Sequence, residues 1–338
     1  MSKIGVLGAG TWGMALTRML QRSGHQITVW SALEEEVVQY AATRRHPNLP
    51  GMEIPQEVIF TDQIQDAACG QDIVLFAVPS VFVRSTAQKA APFLPDGQVI
   101  ADVAKGIEPG THFTLTEVIA DEVSRKAGKR DVRLVALSGP THAEEVAKDI
   151  PTMIVSASED MKAARIVQDV FSNTCMRVYT NPDVRGVELC GALKNVIALA
   201  AGISAGLGFG DNTKAALITR GMAEIARLGM AMGCQEQTFY GLAGIGDLIV
   251  TATSMHSRNN RAGILIGQGK TPEQAVKEVG MVVEGINALP AAMELCEDYD
   301  VPMPIMSGVN QIVKEGRDPK NVVKELMGRE KRPETRRM

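Results

Sequence analysis

The stretch Lys3–Gly24, KIGVLGAGTWGMALTRMLQRSG, decides the fold. It opens on an apolar run, KIGVL, and passes at once into Gly8-Ala9-Gly10-Thr11-Trp12-Gly13. A helical pattern then runs to about Ser23. A G-x-G-x-x-G between a strand and a helix has a mechanical reading. Gly8 permits a tight turn, Gly10 lets the backbone approach a pyrophosphate, and Gly13 lets helix and strand pack closely. The helix start offers free N–H groups and a positive dipole end to the phosphates. Alone, the motif also fits a plain glycine-rich turn. Its weight comes from its place at residue 8 of an alternating chain.

That alternation continues. Strand patterns fall at Lys3–Leu7, Gln26–Trp30, Asp72–Val78, Gln98–Val103, Arg133–Leu137 and Thr152–Ser156, with helical patterns between most of them. Several are apolar throughout, as in a parallel sheet covered on both faces. After about Thr180 only helical patterns remain, broken by Gly and Pro, and Asn181-Pro182 is a turn signal. The fold class expected is α/β: an N-terminal Rossmann-type parallel sheet followed by an all-α C-terminal domain. The division expected is 1–181 for the dinucleotide, 182–328 for substrate and catalysis, and 329–338 as a basic, disordered tail.

Composition fits this. The 338 residues suggest about two domains. The net charge of −4 carries no nucleic-acid footprint, and the 4% of aromatics argues against stacked bases. Five cysteines without a C-x-x-C pair speak against a zinc site or a disulfide frame. No basic-then-apolar leader opens the chain, and the apolar region Val196–Gly210 is shorter than the roughly 20 residues a membrane span needs. A soluble, cytoplasmic protein with no metal is expected. Glycine is over-used: 32 residues, about 9% against about 7% on average; the excess at Gly8, Gly10 and Gly13 and at Gly191, Gly202, Gly206, Gly208 and Gly210 is expected to make space for a cofactor and a small substrate.

The cofactor stays open between NAD and NADP. The end of the second strand reads Val29-Trp30-Ser31, without the acid that holds a ribose 2′-OH and without an Arg for a 2′-phosphate. Glu34, Glu35 and Glu36 come slightly later, then Arg44 and Arg45.

Lys194 is the only charged residue from Leu189 to Gly210, on a stripe with Gly191, Ala198 and Ala201. One reading leaves ligand space beside an amine whose pKa burial lowers, which suits a proton acceptor. The other is a snorkelling lysine on a tightly packed helix. Lys105-Gly106 follows a strand, at the sheet edge where ligands bind. Ser138-Gly139-Pro140-Thr141 follows the next strand, and Thr141 to Glu144 reads as a capping box. Ser257-Arg258-Asn259 precedes an apolar helical stretch. It fits either a phosphate site or an ordinary polar cap.

Together these pieces resemble the bacterial-type NAD(P)-dependent glycerol-3-phosphate dehydrogenase family over nearly the whole chain. The motifs are GAGTWG at 8–13, VAKGIE at 103–108, SGPT at 138–141, GALKNVIALAAGISAGLGFGDNTKAALITRG at 191–221, GLAGIGDLIVTATS at 241–254, SRN at 257–259 and VVEG at 282–285. The resemblance implies a reductase of dihydroxyacetone phosphate serving phospholipid synthesis, acting as a homodimer. It implies Lys194 as proton acceptor, with Lys105 and Asp247 beside it. Gly8, Gly10, Thr11, Trp12, Gly13, Lys105, Ala143, Arg258, Val282 and Glu284 would line the dinucleotide. Lys105, Gly139, Thr141, Lys194, Asp247, Ser257, Arg258 and Asn259 would hold the substrate. Two departures stand out: Ala205 where the family often has an acid, and Asn48 where an aromatic is common. The rival readings are a β-hydroxyacid or ketopantoate-type reductase and a non-catalytic dinucleotide sensor. Neither needs both SRN at a helix start and Lys194 on its stripe.

Overall fold

The computed structural model describes residues 1–127, 131–331 and 333–334. One eight-stranded sheet organises the first half, in the order β3-β2-β1-β4-β5-β6-β7-β8. The strands are β1 (Lys3–Leu7), β2 (Gln26–Trp30), β3 (Ile59–Thr61), β4 (Ile73–Phe76), β5 (Val99–Asp102), β6 (Arg133–Ser138), β7 (Thr152–Ala157) and β8 (Met176–Asn181). β4 and β5 are buried at every residue, which explains their unbroken apolar runs.

The sheet is not wholly parallel. β1 to β6 run one way, but β7 pairs antiparallel to β6, with Leu137 opposite Ser156. β8 then runs parallel to β7. The connection after β6 holds only the four-residue helix Ala143–Val146. The sequence also hid two strands. β3 has three residues, and β8 alternates exposed and buried positions at its start, with Arg177 and Tyr179 facing outward.

Beyond Asn181 every described element is helical. The axis is the helix Val184–Gly206, which Asp183 caps by accepting the Gly186 N–H at 3.0 Å. With 23 residues it is long and apolar enough to cross a membrane, yet 89% of its apolar window lies inside the protein. It is a core helix, and other helices pack around it.

The excess glycine is spent largely here. Gly202 and Gly206 face Gly263 and Gly267 on the helix Arg258–Gly267. A Cβ on Gly202 would lie 2.2 Å from the Asn260 carbonyl oxygen, and one on Gly263 would lie 2.3 Å from that of Leu199. The two helices therefore touch backbone to backbone. Gly202 and Gly206 were expected to make space for ligands. They make space for another helix, the one that begins at Ser257-Arg258-Asn259. Of the tail expected at 329–338, residues 332 and 335–338 lie outside the described residues.

Candidate active site

The phosphate loop has the geometry its glycines require. Gly8 has φ +123°, and its N–H donates to the Trp30 carbonyl at 2.9 Å. A Cβ on Gly13 would lie 2.3 Å from the Gly8 oxygen, so helix and strand are in close contact. Gly10 faces open space, with nothing within 4 Å of a Cβ. That open backbone at a helix start fits a pyrophosphate. Thr11 accepts a hydrogen bond from the Asn48 amide at 3.2 Å, which brings the 46–52 loop beside the glycine turn. Trp12 packs half-buried against the sheet core.

At the carboxyl ends of β5 and β6 the sheet meets the long helix. Lys194 is 4% exposed there. Its Nζ donates to Asp247 Oδ1 and, at 2.7 Å, to Thr251 Oγ1. Lys105 Nζ donates to Asp247 Oδ2 at 2.6 Å and to the Gly139 carbonyl at 3.2 Å. One fully buried carboxylate thus takes an ammonium on each oxygen. Burial pushes the Lys194 amine down to about 7; the charge of Lys105 adds to this, and Asp247 opposes it. Repulsion between the two lysines is a lesser cause than desolvation.

Thr251 escaped the sequence reading. Asp247 and Thr251 are four apart on the helix Asp247–Thr253, so both side chains reach Lys194 from one face. That spacing beside a buried lysine was the signal that could have found it.

The stripe beside Lys194 is not ligand space. A Cβ on Gly191 would lie 3.1 Å from Ser138 Oγ and 3.4 Å from Lys105 Cγ. The glycine lets the stem of Lys105 lie against the helix, and Ala198 and Ala201 are buried in the core. The capping box at Thr141 does not form either. The short helix begins one residue later than the box requires, with His142 at its N-cap and no side-chain cap. The Thr141 hydroxyl donates instead to the Gly139 carbonyl at 3.2 Å. Ala143 opens that helix and packs, part-buried, against the sheet core.

Ser257 caps the helix Arg258–Gly267, its Oγ accepting the Asn260 N–H at 3.2 Å. Arg258 is part-buried, and its guanidinium makes no hydrogen bond or ion pair among the described residues. Burial lowers its pKa, with Glu284 and Glu144 opposing. A desolvated cation without a partner, beside free helix N–H groups, is suited to an anion. The Asn259 side chain is committed elsewhere. It donates to Asn195 Oδ1 at 2.9 Å and accepts the Gly285 N–H at 2.8 Å. It ties the Lys194 helix to the helix Glu284–Asp298. Val282 sits part-buried just before that helix. Glu284 accepts the Ser80 N–H at 3.1 Å and the Ser80 hydroxyl at 2.6 Å, which links the loop after β4 to the helical half.

A glycine phosphate loop, a buried lysine–carboxylate–lysine cluster and an unpaired arginine at a helix start define a dinucleotide-dependent reductase of small anionic substrates. The models for the NAD-dependent glycerol-3-phosphate dehydrogenase N-terminus and C-terminus match residues 3–164 and 183–324. A glycerol-3-phosphate dehydrogenase [NAD(P)+] 2 from Lactobacillus delbrueckii subsp. bulgaricus is 66% identical over 99% of both chains. A glycerol-3-phosphate dehydrogenase [NAD(P)+] from Agathobacter rectalis is 50% identical over 99% of this chain and 98% of its own. The solved glycerol-3-phosphate dehydrogenase from Coxiella burnetii is 35% identical, with TM-score 0.91 over 97% of this chain and 99% of that one. The chain belongs to the NAD-dependent glycerol-3-phosphate dehydrogenase family. A ketopantoate reductase from Ralstonia eutropha, 17% identical with TM-score 0.59, shares the fold alone.

Proposed function

We propose that this chain catalyses the reversible NAD(P)H-dependent reduction of dihydroxyacetone phosphate to sn-glycerol 3-phosphate, feeding glycerophospholipid synthesis. Within the family frame, the observation that carries the reading is the Asp247 carboxylate holding Lys194 and Lys105 together at the sheet edge. The open face of Gly10 between Gly8 and Gly13 fits the dinucleotide, which supplies the hydride when bound.

The chain's own residues do the rest. Lys194 donates a proton to the C2 oxygen during reduction and takes it back during oxidation. An amine near pKa 7 suits both directions at neutral pH. Lys105 adds positive charge where the oxygen turns negative, and Asp247 fixes both ammonium groups. Arg258 and the free N–H groups after Ser257 hold the phosphate. Gly139, Thr141 and Asn259 complete the substrate side. Gly8, Gly10, Thr11, Trp12, Gly13, Lys105, Ala143, Arg258, Val282 and Glu284 line the cofactor. This assigns residues 1–181 to the dinucleotide and 182–328 to substrate and catalysis. A cytoplasmic homodimer completes the proposal, which rests on family membership.

The test is a steady-state assay with dihydroxyacetone phosphate and with unphosphorylated dihydroxyacetone, run with NADH and NADPH in parallel. Turnover that requires the phosphate supports the reading. Equal use of the unphosphorylated ketone overturns it and favours a hydroxyacid-type reductase.

A further inference from the structure

The helix Glu284–Asp298 is fastened to the sheet half at both ends. At its start Glu284 holds Ser80, and Ser80 packs on Gly106, the residue after Lys105: a Cβ on Gly106 would lie 2.5 Å from Ser80 Cβ. At its far end the helix meets the hairpin that follows Lys105. Ile107 bridges Thr114 in that hairpin, and Glu108 donates its N–H to the Phe113 carbonyl at 3.0 Å. At the tip, Gly110 donates its N–H to Glu294 Oε2 at 3.0 Å. His112 Nε2 meets the same oxygen at 2.8 Å, and His112 Nδ1 pairs with Asp298 Oδ2 at 3.1 Å.

Glu294 and Asp298 stand near the carboxyl end of their helix, where the dipole disfavours acids, and no base in the last turn offsets them. His112 has φ +58°, a left-handed backbone that is uncommon outside glycine and persists only where its surroundings hold it. Between the two fastenings the halves part. A cavity of about 360 Å³ lies between Ser80, Glu108 and Pro109 on one side and Ile286, Asn287 and Pro290 on the other. The hairpin is therefore not packed flat onto the helix, and its seat depends on the two ends. A carboxylate only accepts hydrogen bonds, so each ring nitrogen must carry a hydrogen to meet one. Neutral imidazole has a single N–H and imidazolium has two, so the contact is complete only when His112 is protonated. The Gly110 N–H, and after it His112, hold the Glu294 carboxyl below the usual carboxylate range, which keeps that acid ionised. The other acid of the hairpin, Glu108, is taken by Arg84 and Thr111.

We propose that His112 is a positioning residue for Lys105: its imidazolium locks the hairpin after Lys105 onto the helix Glu284–Asp298, and loss of the proton loosens that seat. This rests on the reductase reading above and deepens it. The side chain of Lys105 is anchored by Asp247 and the Gly139 carbonyl. His112 fixes the backbone from which that side chain reaches.

The experiment measures kcat and KM for dihydroxyacetone phosphate, and NADH affinity by fluorescence titration, in the wild type, His112→Asn and Asp298→Asn, from about pH 6 to about pH 9. Asparagine tolerates the left-handed backbone, so His112→Asn keeps the turn and deletes the imidazolium. At the acid end its kcat should fall about threefold to tenfold, the size of one or two partly exposed ion pairs, with NADH affinity nearly unchanged. The loss should shrink as pH rises, because the wild type then gives up the same proton. Lys194 titrates in all three proteins, so the ratio of wild type to variant isolates His112. Asp298→Asn should give a smaller loss with the same trend. A merely structural contact would lower Tm and leave the kcat ratio at one, or displace it equally at every pH, and either result overturns the proposal. Were His112→Asn not to fold, Asp298→Asn, at a half-exposed side chain, decides by the same two outcomes. Absence of turnover in the wild type would overturn the reductase reading itself and this proposal with it, whereas normal turnover with a flat ratio overturns the role of His112 alone.

Discussion

Gly202→Ala tests whether helix packing sets the substrate site. The added methyl would sit 2.2 Å from the Asn260 oxygen and 2.9 Å from Gly263 Cα, whereas ordinary contact begins at 3.4 Å. Both obstacles are backbone, so no side chain can turn aside. The helix Arg258–Gly267 must retreat by about 1 Å. Overpacking of this kind costs about 1–3 kcal/mol, and Tm should fall by about 5 °C. The retreating helix begins at Arg258, and Asn259 is bonded to Asn195, next to Lys194. A misplacement of about 1 Å in such a site can cost on the order of 10²-fold in rate. Calorimetry and steady-state kinetics on the same sample should therefore show a loss of kcat/KM well beyond what unfolding accounts for, at a residue remote from the reacting atoms. A variant with unchanged Tm and unchanged kcat/KM would refute the reasoning.

Arg258→Ala should raise the KM for dihydroxyacetone phosphate by about tenfold to a hundredfold, the worth of charged hydrogen bonds to one phosphate, and weaken competitive inhibition by inorganic phosphate. An unchanged inhibition constant would move the phosphate site elsewhere. The proton role of Lys194 fixes the sign of the pH dependence. Reduction needs the ammonium form, so its kcat/KM should fall as pH rises through about 7, and oxidation should rise through the same range. Asp247→Asn removes the charge that opposes the lowering, so residual activity should show both inflections at lower pH; inflections that stay in place would count against the cluster.

The sheet was legible because strands buried on both faces leave unbroken apolar runs, as at Ile73–Phe76 and Val99–Asp102. The reversal at β7 was not, because an apolar strand reads the same in either direction. Lys194 was conspicuous as a lone charge among apolar residues. Its partners were less so, since Asp247 and Thr251 arrive from 53 and 57 residues away. Gly8 and Gly13 take the tight turn and the close packing that the motif implies, because both follow from local geometry. Gly202 and Gly206 were misread, because the helix that fills them is remote in sequence.

The most direct test of the account is Lys194→Ala, measured for turnover of dihydroxyacetone phosphate and, by fluorescence titration, for NADH affinity. Loss of a positioned proton donor should lower kcat by about 10²–10⁴-fold. The NADH dissociation constant should stay nearly unchanged, because the glycine loop is untouched. A variant that kept near-normal kcat would contradict the account at its centre.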